Sequence, residues 1–214
     1  MEIKAMKHAI IEQKVLGMVS TNTWFLKNKE TGALLIIDPA DQPLLIQQKI
    51  TAMEGKPEAI LLTHGHFDHM MAADAVRSMY GIPVLALEEE KNLLANPGYN
   101  LSGSWAAPCS LQADRWLKDQ EILELAGFTI RVLHTPGHTQ GSCCYYLDEE
   151  GVLFSGDTLF AGSVGRTDFP TSSTRQMMNS VHMLLEQLPG ETKVFSGHGE
   201  ETTIAYEKRY NPFA

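Results

Sequence analysis

The sequence contains no CxxC pair, no cluster of lysine and arginine, no low-complexity tract and no apolar run approaching a membrane span. Each absence excludes something. The three cysteines, Cys109, Cys143 and Cys144, are odd in number and lack zinc-ribbon or redox spacing, so a reduced, cytoplasmic chain is the simplest reading. Cys143 and Cys144 are adjacent and would face opposite sides of a strand. With 17 basic against 26 acidic residues the net charge is −9, which removes the electrostatic footprint that nucleic acid or an anionic membrane requires. Residues 1–18, MEIKAMKHAIIEQKVLGM, hold no continuous apolar core of signal-peptide type. No Pro/Gly/Ser-rich linker divides the chain, so residues 1–214 read as a single domain with a sizeable core.

What is present is a series of short, β-branched apolar runs. KHAIIEQKVLG, TWFLKN, ALLIID, AILLTH, IPVLAL, FTIRVLH, CCYYL, VLFSGD and KVFSGH all read as strands. Helical patterns lie between them. One opens at Asp41 and Pro43 and runs through Lys49, and one spans 69–80 and stops at Gly81. A third, TRQMMNSVHMLLEQL, can be capped by Ser172 or Ser173 and ends at Pro189-Gly190, and TIAYEKRY forms a last one. Strands in two batches, each followed by helices, predict a sheet-on-sheet core flanked by helices. Residues 97–118 fit neither period and read as a long functional cover, with Trp105 and Trp116 as packing residues or part of that cover. The methionines mostly follow helical spacing and read as core.

Four segments share one grammar, an apolar strand and then a polar turn bearing histidine or aspartate. They are AILLTHGHFDH, IRVLHTPGH, VLFSGD and KVFSGHGE. Loops at one end of stacked sheets gather at one edge, so these turns can meet despite their separation in sequence. The set is His64, His66, Asp68, His69, His138, Asp157 and His198. It holds five imidazoles, two carboxylates and no thiolate, which suits zinc, iron or manganese and argues against a closed structural zinc site. Seven ligands exceed one tetrahedral ion and suit two ions sharing a carboxylate. His64 and His66 can reach one ion from the turn, while Asp68 and His69 point to a neighbour. His8 and His182 stand alone and read as unrelated, and His134 reads as core or as support for a ligand. Thr63, Thr135, Thr139 and Ser196 sit beside ligands and can hydrogen-bond to them. Of Tyr145 and Tyr146, one is expected in the core and the other nearer the surface.

THGHFDH with TPGHT, SGDTLF and SGHG resembles the metallo-β-lactamase superfamily across nearly the whole chain. The resemblance implies an α/β fold, an αββα sandwich of two mixed β-sheets flanked by helices, with a metal site at one sheet edge. It implies that His64, His66 and His138 hold one ion, that Asp68, His69 and His198 hold a second, and that Asp157 bridges. Family membership does not fix the reaction. True β-lactamases of the family lack the bridging aspartate, and flavodiiron members carry glutamate at the position of His66. GDTLFAGSVGRTDFP and EKRYNPF look like the short, single-domain glyoxalase II type, without the C-terminal helical domain of classical members.

That resemblance implies a hydrolase of a small-molecule thioester such as S-lactoylglutathione, as a monomer or small homo-oligomer. It implies two divalent ions, zinc first, with iron or manganese as alternatives. Hydroxide from a water shared by the ions attacks the carbonyl, and Asp68 orients that water. Arg166 matches a basic position after GDTLF. It is expected either to bind a substrate carboxylate or to pair internally with Asp168. The alternatives are a mononuclear iron persulfide dioxygenase, a metallo-hydrolase of another ester or amide, and a non-enzymatic metal-binding role. The last is disfavoured by open coordination positions.

Overall fold

A computed structural model describes residues 6–214. Residues 1–5, the start of the segment read above for a leader, lie outside the described residues. The first sheet is built from β1 (Ala9–Leu16), β2 (Thr21–Asn28), β3 (Ala33–Ile37), β4 (Lys56–Leu61), β5 (Val84–Leu87) and β6 (Arg115–Leu117), in that spatial order. Its first three strands are antiparallel and β3 through β6 run parallel. The second sheet begins with the meander β7 (Ile122–Leu125), β8 (Phe128–His134), β9 (Cys143–Leu147) and β10 (Val152–Gly156). A small hairpin, β11 (Leu159–Phe160) and β12 (Ser163–Val164), follows. The chain then returns to add β13 (Lys193–Ser196) parallel to β10, with β14 (Thr202–Thr203) at the edge.

Period-2 alternation sorts each strand between two cores. On β3, Leu35 and Ile37 point between the sheets, while Leu34 and Ile36 point outward to the helices. On β9, Cys143 and Tyr145 face inward and Cys144 and Tyr146 outward, so the two cysteines do occupy opposite faces. Both tyrosines are buried. The expectation of one nearer the surface fails because the outer face of this sheet is itself covered by a helix, and the Tyr146 hydroxyl donates to Asp148 Oδ1 at 2.9 Å.

Helices α1 (Pro43–Ala52) and α3 (Ala73–Tyr80) cover the first sheet through Ile46, Ile50 and Val76. α6 (Thr174–Gln187) covers the second with Met177, Val181, Leu184 and Leu185, a stripe at helical spacing. The result is the αββα sandwich. Ser173, one of the two candidate caps, accepts from the Gln176 amide and starts α6. α7 (Ile204–Tyr210) starts at Thr203 in the same way.

The helix expected over 69–80 is two helices, α2 (Phe67–Met70) and α3, interrupted at Met71 and Ala72, where the Ala72 amide donates to Pro39 O. The break frees α2 to aim Asp68 and His69 at the sheet edge while α3 packs on the first sheet. Two short helices, α4 (Lys91–Ala95) and α5 (Ser102–Trp105), carried no period in the sequence. α5 and β6 lie inside the stretch 97–118. Met18 and Met79 depart from the core reading and are exposed.

Candidate metal centre

Each ligand candidate stands just past the C-terminal end of a strand. The turn after β4 carries His64 and His66, and α2 follows with Asp68 and His69. The loop after β8 carries His138, Asp157 directly follows β10, and His198 follows β13. β4, β8, β10 and β13 all end at the same edge of the sandwich, so the four sequence segments converge.

All seven residues meet there. His64, His66 and His138 form one group whose donor atoms lie within 4.8 Å of one another, and Asp68, His69 and His198 form another. Asp157 sits between them. Its Oδ1 is 3.4 Å from His69 Nε2, and its Oδ2 is 3.4 Å from His138 Nε2 and 3.5 Å from His198 Nε2. Glycine precedes both Asp157 and His198 for a steric reason. A Cβ at Gly156 would collide with Thr63 Oγ1, and one at Gly197 would collide with Asp157 Oδ1.

The ring nitrogens on the far side of each histidine fix the orientation. His69 Nδ1 donates to Asp38 Oδ2 at 2.9 Å, and His138 Nδ1 donates to Arg166 O at 2.9 Å. The Thr63 hydroxyl donates to Asp38 Oδ2 at 2.6 Å and so faces His64 Nδ1, 3.2 Å away, with a lone pair. These contacts turn Nε2 of His64, His69 and His138 inward, whereas His66 presents Nδ1, which lies 2.9 Å from His138 Nε2. His64 Nε2, His66 Nε2, His69 Nε2 and Asp157 Oδ1 are buried without any hydrogen-bond partner. Buried polar atoms are rarely left so, and His64 Nε2, His69 Nε2 and Asp157 Oδ1, which belong to the converging donor groups, call for a cation. The donor set fits a divalent-metal centre.

Electrostatics agree. Burial pushes His64 well below the usual histidine range and His66 to about 3. Burial opposes the charged form of His69 and His198 too, but Asp68 and Asp157, with Asp38 at His69, outweigh it and raise them to about 9 and about 11. Against the cost of burial, the facing imidazoles draw Asp157 down to about 2 and Asp68 below the ordinary carboxylate range. Protons on His69 and His198 thus hold the place that a divalent cation would take. Metal and proton compete there, so metal affinity is expected to weaken steadily as pH falls from about 8 to about 6. A chelator-competition titration at several pH values checks this, and a flat profile would contradict it.

Two supporting residues were not singled out by sequence reasoning. Asp38 follows β3 in the left-handed region, with φ of 51°, and is buried. It accepts from the Thr63 amide at 2.8 Å as well as from Thr63 Oγ1 and His69 Nδ1. ALLIID repeats the strand-then-aspartate grammar and could have revealed it. Glu90 is fully buried, and burial raises its carboxyl to about 7. Its Oε1 accepts from the Gly65 amide and from Thr139 Oγ1, and its Oε2 from the Gly141 amide, each at 2.8 Å. One carboxylate therefore ties the His64–His66 turn to the loop bearing His138. Glu90→Gln would set an NH2 against the Gly141 amide. It is expected to cost about 1–3 kcal/mol of stability and to weaken metal retention roughly 10-fold or more. Denaturant melts and chelator competition read these effects, and unchanged metal retention would count against the tie.

The four flanking hydroxyl residues all bond within this framework: Thr63 as above, Thr135 to Thr158, Thr139 to Glu90, and Ser196 to the His198 carbonyl. His134 donates to Gln140 O and stands outside both metal-ligating groups, and His8 pairs with Glu30.

A cleft of about 410 Å³ opens over the centre and reaches His66, Asp68, His138, Asp157 and His198. Arg166 lies on its wall. Arg166 Nε and Nη2 both donate to Asp168 at 2.7 Å, the internal pair that the sequence had left open, and its guanidinium stacks 4.1 Å from the Phe169 ring centroid. Trp105 also lines the cleft, whereas Trp116 packs partly buried beneath the first sheet's outer core.

The profile of the metallo-beta-lactamase superfamily matches residues 16–198, which takes in all four ligand-bearing segments. The chain belongs to the metallo-beta-lactamase superfamily. Among members of this family, the chain is 38% identical over 200 residues to "Probable metallo-hydrolase YqgX" of Bacillus subtilis, covering 92% of this chain and 94% of that one. It is 36% identical over 181 residues to "Hydroxyacylglutathione hydrolase GloC" of Haemophilus influenzae, covering 83% and 85%. Among solved structures, "BLEG-1 B3 metallo-beta-lactamase" superposes with a TM-score of 0.90 at 40% identity, covering 95% and 99%. "TTHA1623 in a di-iron-bound form" follows with a TM-score of 0.84 at 35% identity, covering 95% and 100%. "ETHE1 from Myxococcus xanthus" gives 0.77 at 29%, covering 95% and 83%.

Proposed function

We propose that the protein is a cytoplasmic, metal-dependent hydrolase of small-molecule thioesters, of the glyoxalase II kind, working with two divalent ions, zinc first among them. The observation that carries this reading is the pair of donor groups flanking one carboxylate, with His64 Nε2, His69 Nε2 and Asp157 Oδ1 buried there without partners. His64, His66 and His138 would hold one ion, Asp68, His69 and His198 the other, and Asp157 would face both. A divalent pair, when bound, lowers the pKa of a shared water from about 15.7 toward neutrality and so supplies hydroxide near pH 7.

The chain's own residues do the rest. The Thr21 hydroxyl donates to Asp68 Oδ2 at 2.7 Å, which fixes that carboxylate at the cleft floor where it can orient the attacking water. Phe169 lies edge-on to His66 and His138, and Phe160 to His198, so apolar rings flank the place where a reacting carbonyl would lie. Among the described residues lining the cleft, none outside the donor groups is a dedicated general acid. That suits a thioester, whose leaving thiolate has a pKa of about 8.5–9 and departs unaided.

Arg166 enters the proposal as a carboxylate contact that acts by exchanging Asp168 for substrate. The net value of such an exchanged bond is about 0.5–1.5 kcal/mol. Arg166→Ala is therefore expected to raise KM for S-lactoylglutathione by up to about 10-fold with kcat held. An equal loss for a thioester without carboxylates would make Arg166 a wall support instead.

Likeness to proteins titled as a β-lactamase and as ETHE1 favours two rival activities. Metal-loaded protein assayed against S-lactoylglutathione, glutathione persulfide with oxygen recording, and a chromogenic cephalosporin decides among them. Thiol release from the thioester is the expected result. Oxygen uptake or cephalosporin opening without thioester hydrolysis would overturn the proposal.

A further inference from the structure

The cleft is walled by Val19, Phe67, Leu101, Trp105, Phe160 and Phe169 above a floor formed by the histidines and aspartates of the metal centre, with Ser163 and Arg166 as the other polar side chains of the lining. Among the described residues lining it, Arg166 is the one side chain of permanent positive charge, and Asp168 occupies its fork. Two features show that this wall is built rather than incidental. Trp105 remains 58% exposed and Val19 46% exposed, although both flank a cavity, so a large apolar surface stands ready to be covered. The loop presenting Leu101 and Trp105 is also held with care.

Leu101 adopts φ of 67°, a conformation that costs a leucine energy, and starts α5 from it. Asn100 pins this strained turn. Its side chain donates to Cys109 O at 2.9 Å and accepts from the Ser102 amide at 2.9 Å. Its carbonyl accepts from the Phe67 amide at 2.8 Å, at the start of the helix that carries Asp68 and His69. The Ser102 hydroxyl closes the loop onto Cys109 through bonds of 3.0 and 3.2 Å. The stretch that fitted neither period is thus a rigid wall, anchored to the metal-bearing helix.

A glutathionyl group carries two carboxylates and an ammonium; Arg166 can take one carboxylate only by giving up Asp168, and docking the remaining charges against this apolar wall is costly. An uncharged, apolar substrate is instead rewarded by the area it covers. We infer that the cleft selects thioesters with an apolar acyl group on an uncharged thiol carrier, and that Trp105 is the residue that reads the apolar group. The inference rests on the thioesterase reading proposed above.

Four thioesters test it, crossing lactoyl and phenylacetyl acyl groups with glutathione and N-acetylcysteamine as carriers. The phenylacetyl ester of N-acetylcysteamine is expected to exceed S-lactoylglutathione in kcat/KM by about 10-fold or more. Trp105→Ala is expected to bring that ratio near one and Trp105→Phe to keep most of it, with melting temperatures of both variants recorded as a check on folding. Equal or higher efficiency for S-lactoylglutathione in the wild type, or a ratio indifferent to Trp105→Ala, would overturn the inference. Calorimetric titration with the matching non-hydrolysable thioethers runs in parallel. If none of the four esters is turned over, the thioesterase reading falls and the titration still decides the cleft. Tighter binding of the phenethyl thioether supports the apolar preference, and equal or absent binding overturns it.

Discussion

Asp157→Ala is expected to lower turnover by at least about 10²-fold, because even the loss of a partner that only supports a metal ligand typically costs roughly 10- to 100-fold. The carboxylate is buried, faces a histidine of each donor group, and has an oxygen with no other partner. Removing it leaves five imidazoles and Asp68 facing one another with nothing between the groups. Both of the proposed ions should be lost or displaced, since each donor group would keep three ligands and lose the carboxylate that the two groups share. The measurement pairs metal content with turnover in the purified variant. Near-normal turnover with both metals retained would show that Asp157 does not lie between two ions.

Asp38→Ala should be almost as damaging, although Asp38 belongs to neither of the two proposed ligand triads. The substitution leaves the Thr63 amide, the Thr63 hydroxyl and His69 Nδ1 without their buried acceptor. It also places alanine where φ is 51°, which aspartate tolerates better. Losing the partner of a metal-facing histidine typically lowers metal affinity 10- to 100-fold, and the orphaned donors should cost about 2–5 kcal/mol of stability. Asp38→Asn separates the two effects, because the amide retains one oxygen and tolerates the same backbone. Chelator competition and denaturant melts on both variants check the expectation. A variant that keeps wild-type metal affinity would remove Asp38 from the support of the centre.

The strands that carry the site were legible because each couples a run of apolar residues to a turn of polar ones, and both halves of that pattern are local. β3, β4, β8, β10 and β13 announce themselves in this way. β6 has three residues and β11 and β12 two each, too short to display a period, although β11 and β12 pair with each other in a local hairpin. The same distinction governs the site. HxHxDH is dense enough to be improbable by accident, whereas Asp38 is one aspartate before a proline and looks like an ordinary turn residue. Glu90 is the last of three consecutive glutamates, and nothing in the run says which of them will be sealed between two ligand loops. Arg166 shows the limit from the other side. The sequence allowed a substrate contact or a pair with Asp168, and only the folded geometry shows the bidentate pair.

Elemental analysis of the protein, stripped of metal and then fully remetallated, tests the central claim most directly. About two divalent equivalents per chain are predicted, because two complete donor groups flank Asp157. A single iron that admits no second ion would contradict the account.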